Sequence, residues 1–396
     1  MEATTLNNIG LAYSNLREQQ RALDYFNQSL LIGREVEDLN IEATTLNNIG
    51  LVYSNLGEQQ RALDYYNQAL PISREVENRV IEAKTLGNIA EIQYIQGNLI
   101  SASQTMAQAI EKIEFLRNQI FNPQLQASFY QTIEGYYDIH INLLMELHQQ
   151  KPTQQYNAQA LHYSERVRAR QLLTELQEAN VDIQKGVDPQ LLAQEKQLNQ
   201  QLAAILNNQS QLLRGQYSNP EKEDLNQQIN SLVTKLDEVE ASIRFQSPNY
   251  AAINQPTKFT LQTEEIQQQL LNDDTLLLEY YLGNQASYLW VVSKNKVSSY
   301  KLPPKAEIEQ LAQQFREDIA TEGTPNPELG QKLSAMILAP AAQDLGNKRL
   351  LIVGDGILQS IPFAALPVPN PPISPSPHLP NSSNYQPRNH HPPFRL

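Results

Sequence analysis

The chain repeats itself. Residues 1 to 40 and 41 to 80 agree at 30 of 40 positions, and residues 81 to 115 form a more degraded third copy. A fixed period of this length prescribes a stacked array, because each unit buries its apolar face on the next copy and not in one central core. Every period holds two amphipathic stretches, in the second copy Glu42 to Gly57 and Glu58 to Glu77. Leu46, Ile49, Gly50 and Tyr53 recur at helical spacing on the first, and Ala62, Leu63, Tyr66, Ala69 and Leu70 on the second. The first copy places Leu6, Ile9, Gly10, Tyr13, Ala22, Phe26 and Ser29 at equivalent positions; the third has Leu86, Ile89, Ala90, Gln93, Ala102, Met106 and Ala109.

This order of apolar, apolar-Gly, Tyr, Ala, aromatic and small residues resembles the tetratricopeptide (TPR) repeat, in which small residues let two helices pack closely. The 40-residue period exceeds the usual length of about 34, and the surplus, placed in the second helix and its exit from Ile72 to Val80, is similar to the kinesin-light-chain type. The Pro that usually ends the second helix is missing, and Pro71 lies earlier. The resemblance implies a concave groove lined by first helices. The residue two before the Gly of the apolar-Gly pair points into that groove, here Asn8, Asn48 and Asn88. Their neighbours Asn7 and Asn47 become Gly87 in the third copy, which ranks the second Asn of each pair as the working one. An amide both donates and accepts, and the resemblance implies a ladder pairing with the main chain of an extended peptide. The alternative is that these amides only bond neighbouring helices or solvent.

Composition narrows the partners. The formal net charge is −13, and the first 120 residues carry 15 acidic against 9 basic side chains with no basic run. Nucleic acid is therefore excluded as a partner, since the phosphate backbone requires clustered Lys and Arg. No apolar stretch approaches the roughly 20 residues of a membrane span, and the start, MEATTLNN, lacks the charged and apolar segments of a secretory leader. The expected location is the cytoplasm. With no cysteine there are no disulfides, thiolate metal sites or cysteine nucleophile. His140, His148 and His162 lie on helical patterns and read as partly buried structural residues; His378, His390 and His391 sit in a Pro-rich tail. No metal site and no cofactor are expected.

Beyond the repeats, residues 121–180 read as two degenerate TPR-like capping helices. Their charge run Glu165, Arg166, Arg168, Arg170 reads as a solvated face. Residues 185–246 read as a helical hairpin with a coiled-coil seam: Leu191, Leu198, Ile205 and Leu212 stand at heptad spacing, opposite Leu225, Ile229, Leu232, Leu236, Val239 and Ile243. Ser218 or Asn219 caps the second helix ahead of Pro220. After Pro248 the texture changes. Thr275 to Leu282, Ser287 to Ser293 and Lys296 to Leu302 read as strands of an antiparallel meander. Helices are expected over Lys305 to Thr321 and Pro327 to Leu345, then a strand in RLLIVG that ends at Gly354-Asp355-Gly356. Its pattern is that of burial on both faces, but without later strands to cover it an open edge with exposed apolar surface is expected.

The segments ALHYSERVRARQLL, SPNYAAI, DTLLLEYYLG, YLWVVS, MILAPAAQDL and KRLLIVGDGILQSIPFAAL together resemble the CHAT domain, a caspase-like domain found in bacteria downstream of TPR arrays. The resemblance runs from about Ala160 to Leu366 and implies a bacterial, cyanobacterial source. In that family a catalytic His and Cys follow later in the chain, and those parts are absent here. Residues 367–396 are rich in Pro, Ser, Asn and His and are expected to be disordered; an interrupted reading frame is the sharper interpretation. No G-x-S-x-G, H-E-x-x-H or P-loop string offers other chemistry. The expected fold is mainly α, a TPR solenoid (1–120) with its caps and hairpin, followed by a partial α/β caspase-like domain (250–366). The expected function is a protein- or peptide-binding scaffold with an inactive CHAT remnant and no catalytic residues. The alternative is a fragment of a CHAT-family cysteine peptidase.

Overall fold

A computed structural model describes residues 2–117, 123–178, 187–212, 219–246, 263–322 and 326–368. Six helices build the array: α1 (Glu2–Asn15), α2 (Gln19–Glu35), α3 (Leu39–Asn55), α4 (Gln59–Glu75), α5 (Arg79–Ile95) and α6 (Leu99–Arg117). The surplus over a shorter repeat is not confined to the second helix. From α2 to α5 every helix is 17 residues long, so the period from Leu39 to Asn78 divides into two equal helices and two three-residue links. Each link holds one residue in the left-handed region, in order Arg17, Glu37, Gly57, Glu77 and Gly97. Glycine enters that region without a steric penalty, and two of the five links use it. Asp38 and Asn78 then cap α3 and α5, their side chains accepting from Ile41 N and Ile81 N at 3.1 Å. Pro71 lies inside α4, which continues to Glu75.

The repeat's small residues act by letting aromatics in. A Cβ on Gly50 would lie 2.5 Å from the Tyr66 ring, and one on Gly10 would lie 2.7 Å from Phe26. Both rings are fully buried, with Leu46, Ile49, Ala62 and Ala69 around them in one core cluster. Successive copies are also joined by ion pairs one period apart. Arg34 reaches Glu42 at 2.7 Å; Arg74 reaches Glu82 at 2.9 Å, where Lys112 adds a second cation at 3.3 Å.

Among the described residues the chain divides into two compact units, one with residues up to 143 and 173–246, the other with 144–172 and 263–368. The capping segment expected over 121–180 is thus shared between them. The first unit includes most of α7 (Pro123–Gln150) and the paired helices α9 (Pro189–Leu212) and α10 (Asn219–Gln246). Val187, Leu191, Leu192, Val239 and Ile243 form one apolar cluster of that hairpin. Ser218 lies outside the described residues, as does the tail from 369 onward. No helix among the described residues is long and apolar enough to cross a membrane.

The second unit contains the body of α8 (Tyr156–Glu178) together with α11 (Thr263–Gln269), β1 (Thr275–Tyr281), β2 (Ser287–Ser293), β3 (Lys296–Leu302), α12 (Lys305–Glu322), α13 (Pro327–Ile337), α14 (Ala342–Leu345) and β4 (Arg349–Val353). The sheet order is β3-β2-β1-β4, with the expected antiparallel meander and β4 parallel to β1. Leu278, Leu289, Phe315, Leu333 and Ile337 are buried at its centre. One expectation is corrected. The helix foreseen over Pro327 to Leu345 breaks at Leu338, because Pro340 has no N–H to give and its ring crowds the preceding turn; a short 3₁₀ turn over Ala339–Ala341 replaces it. RLLIVG takes the open edge expected of it. Among the described residues β4 is an edge strand, and Leu350 and Leu351 are 36% and 43% exposed.

Candidate functional site

The first helices carry a stripe at i, i+4 and i+7, a spacing that keeps side chains on one helical face. It reads Thr4, Asn8, Leu11 on α1, then Thr44, Asn48, Leu51 on α3 and Lys84, Asn88, Glu91 on α5. Exposure falls along the array: Asn8 is exposed, Asn48 half-buried and Asn88 buried, while Leu11, Leu51 and Glu91 follow the same trend.

The asparagines form a ladder, and its rungs run between helices. Asn48 Nδ2 donates to Asn7 Oδ1 at 3.1 Å, and Thr45 Oγ1 donates to the same oxygen at 3.3 Å. One period later Asn88 Nδ2 and Thr85 Oγ1 both donate to Asn47 Oδ1 at 3.1 Å. The two asparagines of each pair therefore play different parts in the joint. Asn7 and Asn47 are buried acceptors in the joint between neighbouring first helices, and Asn48 and Asn88 each commit an N–H to that joint. The cause is the repeat itself, which sets each second Asn opposite the first Asn of the preceding copy. Gly87 ends the ladder. A Cβ there would lie 2.7 Å from the ring of Tyr136 on α7, whose hydroxyl donates to Ala83 O at 3.4 Å. The third copy has exchanged an amide acceptor for room to admit an aromatic side chain.

Glu91 is the one carboxylate on the stripe. Only 8% of it is exposed, and burial alone pushes its carboxyl up to about 7. The folded chain then binds a proton that the unfolded chain releases near the ordinary value of about 4.3, so stability falls as pH rises from roughly that value through about 7. Between pH 6 and pH 8 the array should lose about 1 kcal/mol on this account. Chemical denaturation of wild type and Glu91→Gln at both pH values tests this: the difference between the two proteins should shrink by that amount at pH 6, and a pH-independent difference would refute it.

The second unit holds a charge cluster built on Arg168, which, contrary to the expected solvated face, is turned toward the buried Glu279. Arg168 on α8 pairs with Glu165 and lies 2.9 Å from Glu279, a fully buried residue of β1, while its Nη2 donates to Tyr280 O at 2.8 Å. Burial holds the Glu279 carboxyl well above the carboxylate range; Arg168 opposes that shift and Glu165 adds to it. Near the ends of the same two parallel strands, Asp355 Oδ2 accepts from Leu282 N at 2.7 Å. The signal for the cluster was present in TLLLEYY, where a single charge interrupts a buried run. Among the described residues no group of three His, Asp or Glu side chains could hold a metal ion. His140 is buried, and His148 and His162 are half-buried.

A family model for the tetratricopeptide repeat matches residues 1–75 and 42–114. The N-terminal helix pairs are TPR repeats. Their equal helices, the ring over each Gly and the asparagine joint are the form those repeats take in this chain. No curated protein matches. Among solved structures, the apo form of RapI is similar at 14% identity, over 59% of this chain and 85% of that one, with a TM-score of 0.30.

Proposed function

We propose that the TPR array binds a protein or peptide as an extended segment along the stripe of α1, α3 and α5, and that this binding is the activity of the chain. The observation that carries the reading is the stripe Asn8, Asn48, Asn88, which repeats an amide at a fixed period and increasing burial, with the ladder behind it fixing the orientation of Asn48 and Asn88. In this proposal the sheet unit is the first part of a CHAT-type, caspase-like domain of bacterial origin. The parallel pair β1–β4 leading into Gly354-Asp355-Gly356 and IPFAAL supports that assignment. A chain without a thiol has no caspase-type nucleophile, so the unit is inert or regulatory here, and the protein is a cytoplasmic scaffold and not an enzyme. Incubation with Arg-, Lys- and Asp-directed peptide substrates should give no turnover above buffer; a rate abolished by a substitution within residues 250–366 would overturn this part.

The groove is tested with an arrayed library of ten-residue peptides. For any peptide captured, Asn48→Ala should weaken binding about fivefold, the loss of one hydrogen bond of about 1 kcal/mol. The same substitution also removes a bond to Asn7 and lowers the thermal midpoint, so Asn7→Ala is the matched control. It breaks that joint from behind and leaves the Asn48 side chain on the stripe. Equal weakening by the two variants would show that the asparagines serve the array alone.

A further inference from the structure

Glu91 replaces a leucine. At the two preceding periods the position is Leu51, half-buried, and Leu11, 39% exposed, so the stripe exchanges an apolar contact for a carboxylate where it is most enclosed. Buried charges are ordinarily paired. The other buried carboxylate of α5, Glu82, follows that rule with Arg74 at 2.9 Å and Lys112 at 3.3 Å. Glu91 makes no ion pair or hydrogen bond among the described residues, and no nearby charge offsets its burial. Lys84, on the same face, is exposed and two turns away, about 10 Å along the helix. The Tyr66 hydroxyl, close enough to feel the Glu91 charge, is itself buried without a hydrogen-bond partner. An enclosed carboxylate with no cation among the described residues lies within electrostatic range of an orphaned hydroxyl, at the enclosed end of a stripe that opens toward α1.

We infer that Glu91 receives a positively charged side chain, Lys or Arg, of the peptide bound in the groove, so that the partner is an extended segment with a basic residue at a fixed place. The inference rests on the groove reading above. The amide oxygens of Asn48 and Asn88 lie on the same stripe, and each amide already commits an N–H to the ladder. The surface is thus rich in acceptors, which suits main-chain N–H groups and a cationic head. The excess of acidic side chains over the first 120 residues, 15 against 9, favours the approach of such a segment.

The probe is a positional library of ten-residue peptides in which one position at a time is fixed as lysine, norleucine or glutamate, titrated against the full chain by fluorescence polarisation. At one position the lysine pool should bind at least tenfold tighter than the norleucine pool. Glu91→Gln should erase that preference by weakening the lysine pool at least tenfold, and lysine binding should strengthen severalfold from pH 6 to pH 8 in wild type only. Binding without preference for lysine, or a preference that survives Glu91→Gln, overturns the inference and leaves the groove reading standing. No binding by any pool overturns both.

Discussion

Arg168→Ala should destabilise the sheet unit by about 3–5 kcal/mol, the cost of removing one partner of a buried ion pair. Glu279 is fully buried in β1 and is held by Arg168 at 2.9 Å; the same guanidinium bonds Glu165 and the Tyr280 carbonyl. Without it Glu279 must stay protonated for the unit to fold. Its carboxyl already lies above the ordinary range because of burial, and losing the cation raises it further. A raised carboxyl costs nothing below the unfolded value and costs most above the folded one, so the variant's deficit should grow as pH rises past the raised value that the Glu279 carboxyl has in wild type. Adding Glu279→Gln, which mimics the neutral acid, should recover part of the loss above that value and little below it. Trp290 reports the transition cleanly, being the only tryptophan and fully buried in β2. A shift below 0.5 kcal/mol, or no recovery in the double variant, would show that the cluster does not secure α8 to the sheet.

How much of this was legible depends on what kind of information each feature uses. The array was readable because its determinants repeat: Gly50 under Tyr66 and Gly10 under Phe26 obey one rule twice. The meander was readable because short turns join apolar runs. Pairings between distant segments were not. Asn157 Nδ2 donates to Val297 O at 3.1 Å and Arg168 to Tyr280 O at 2.8 Å, contacts 140 and 112 residues apart that place α8 in the sheet unit. A helical pattern gives a helix, but it does not name the core on which that helix packs. The asparagines fall between these cases. Their period was visible, yet an amide on a helix serves a ligand or a neighbouring helix equally well, and only the distances from Asn48 to Asn7 and from Asn88 to Asn47 show the second use.

The ladder makes a sharp prediction within the array. Asn47 Oδ1 is the single acceptor for two buried donors, Thr85 Oγ1 and Asn88 Nδ2, both at 3.1 Å. Asn47→Ala leaves both inside the joint between α3 and α5 with nothing to bond, and each buried orphan costs about 1–3 kcal/mol, so the loss should be on the order of 2–4 kcal/mol. The same change one copy earlier should cost less. Asn7→Ala orphans Thr45 and Asn48, but Asn48 is half-buried, within reach of water, and Thr45 retains a contact with Ser29 Oγ at 3.2 Å. Because a repeat array is held together by neighbour interfaces, the damaged joint should also uncouple the third helix pair from the first two. Helix ellipticity should then melt in two steps with denaturant, while Trp290 emission reports the other unit unchanged. A Thr85→Val background provides the decisive comparison. With that donor gone, Asn47→Ala should cost about 1 kcal/mol less than in wild type, since one of its two orphans no longer exists. Additive losses, or an Asn7→Ala variant damaged as severely as Asn47→Ala, would mean that helix packing joins the copies and that the amides contribute little to the joint.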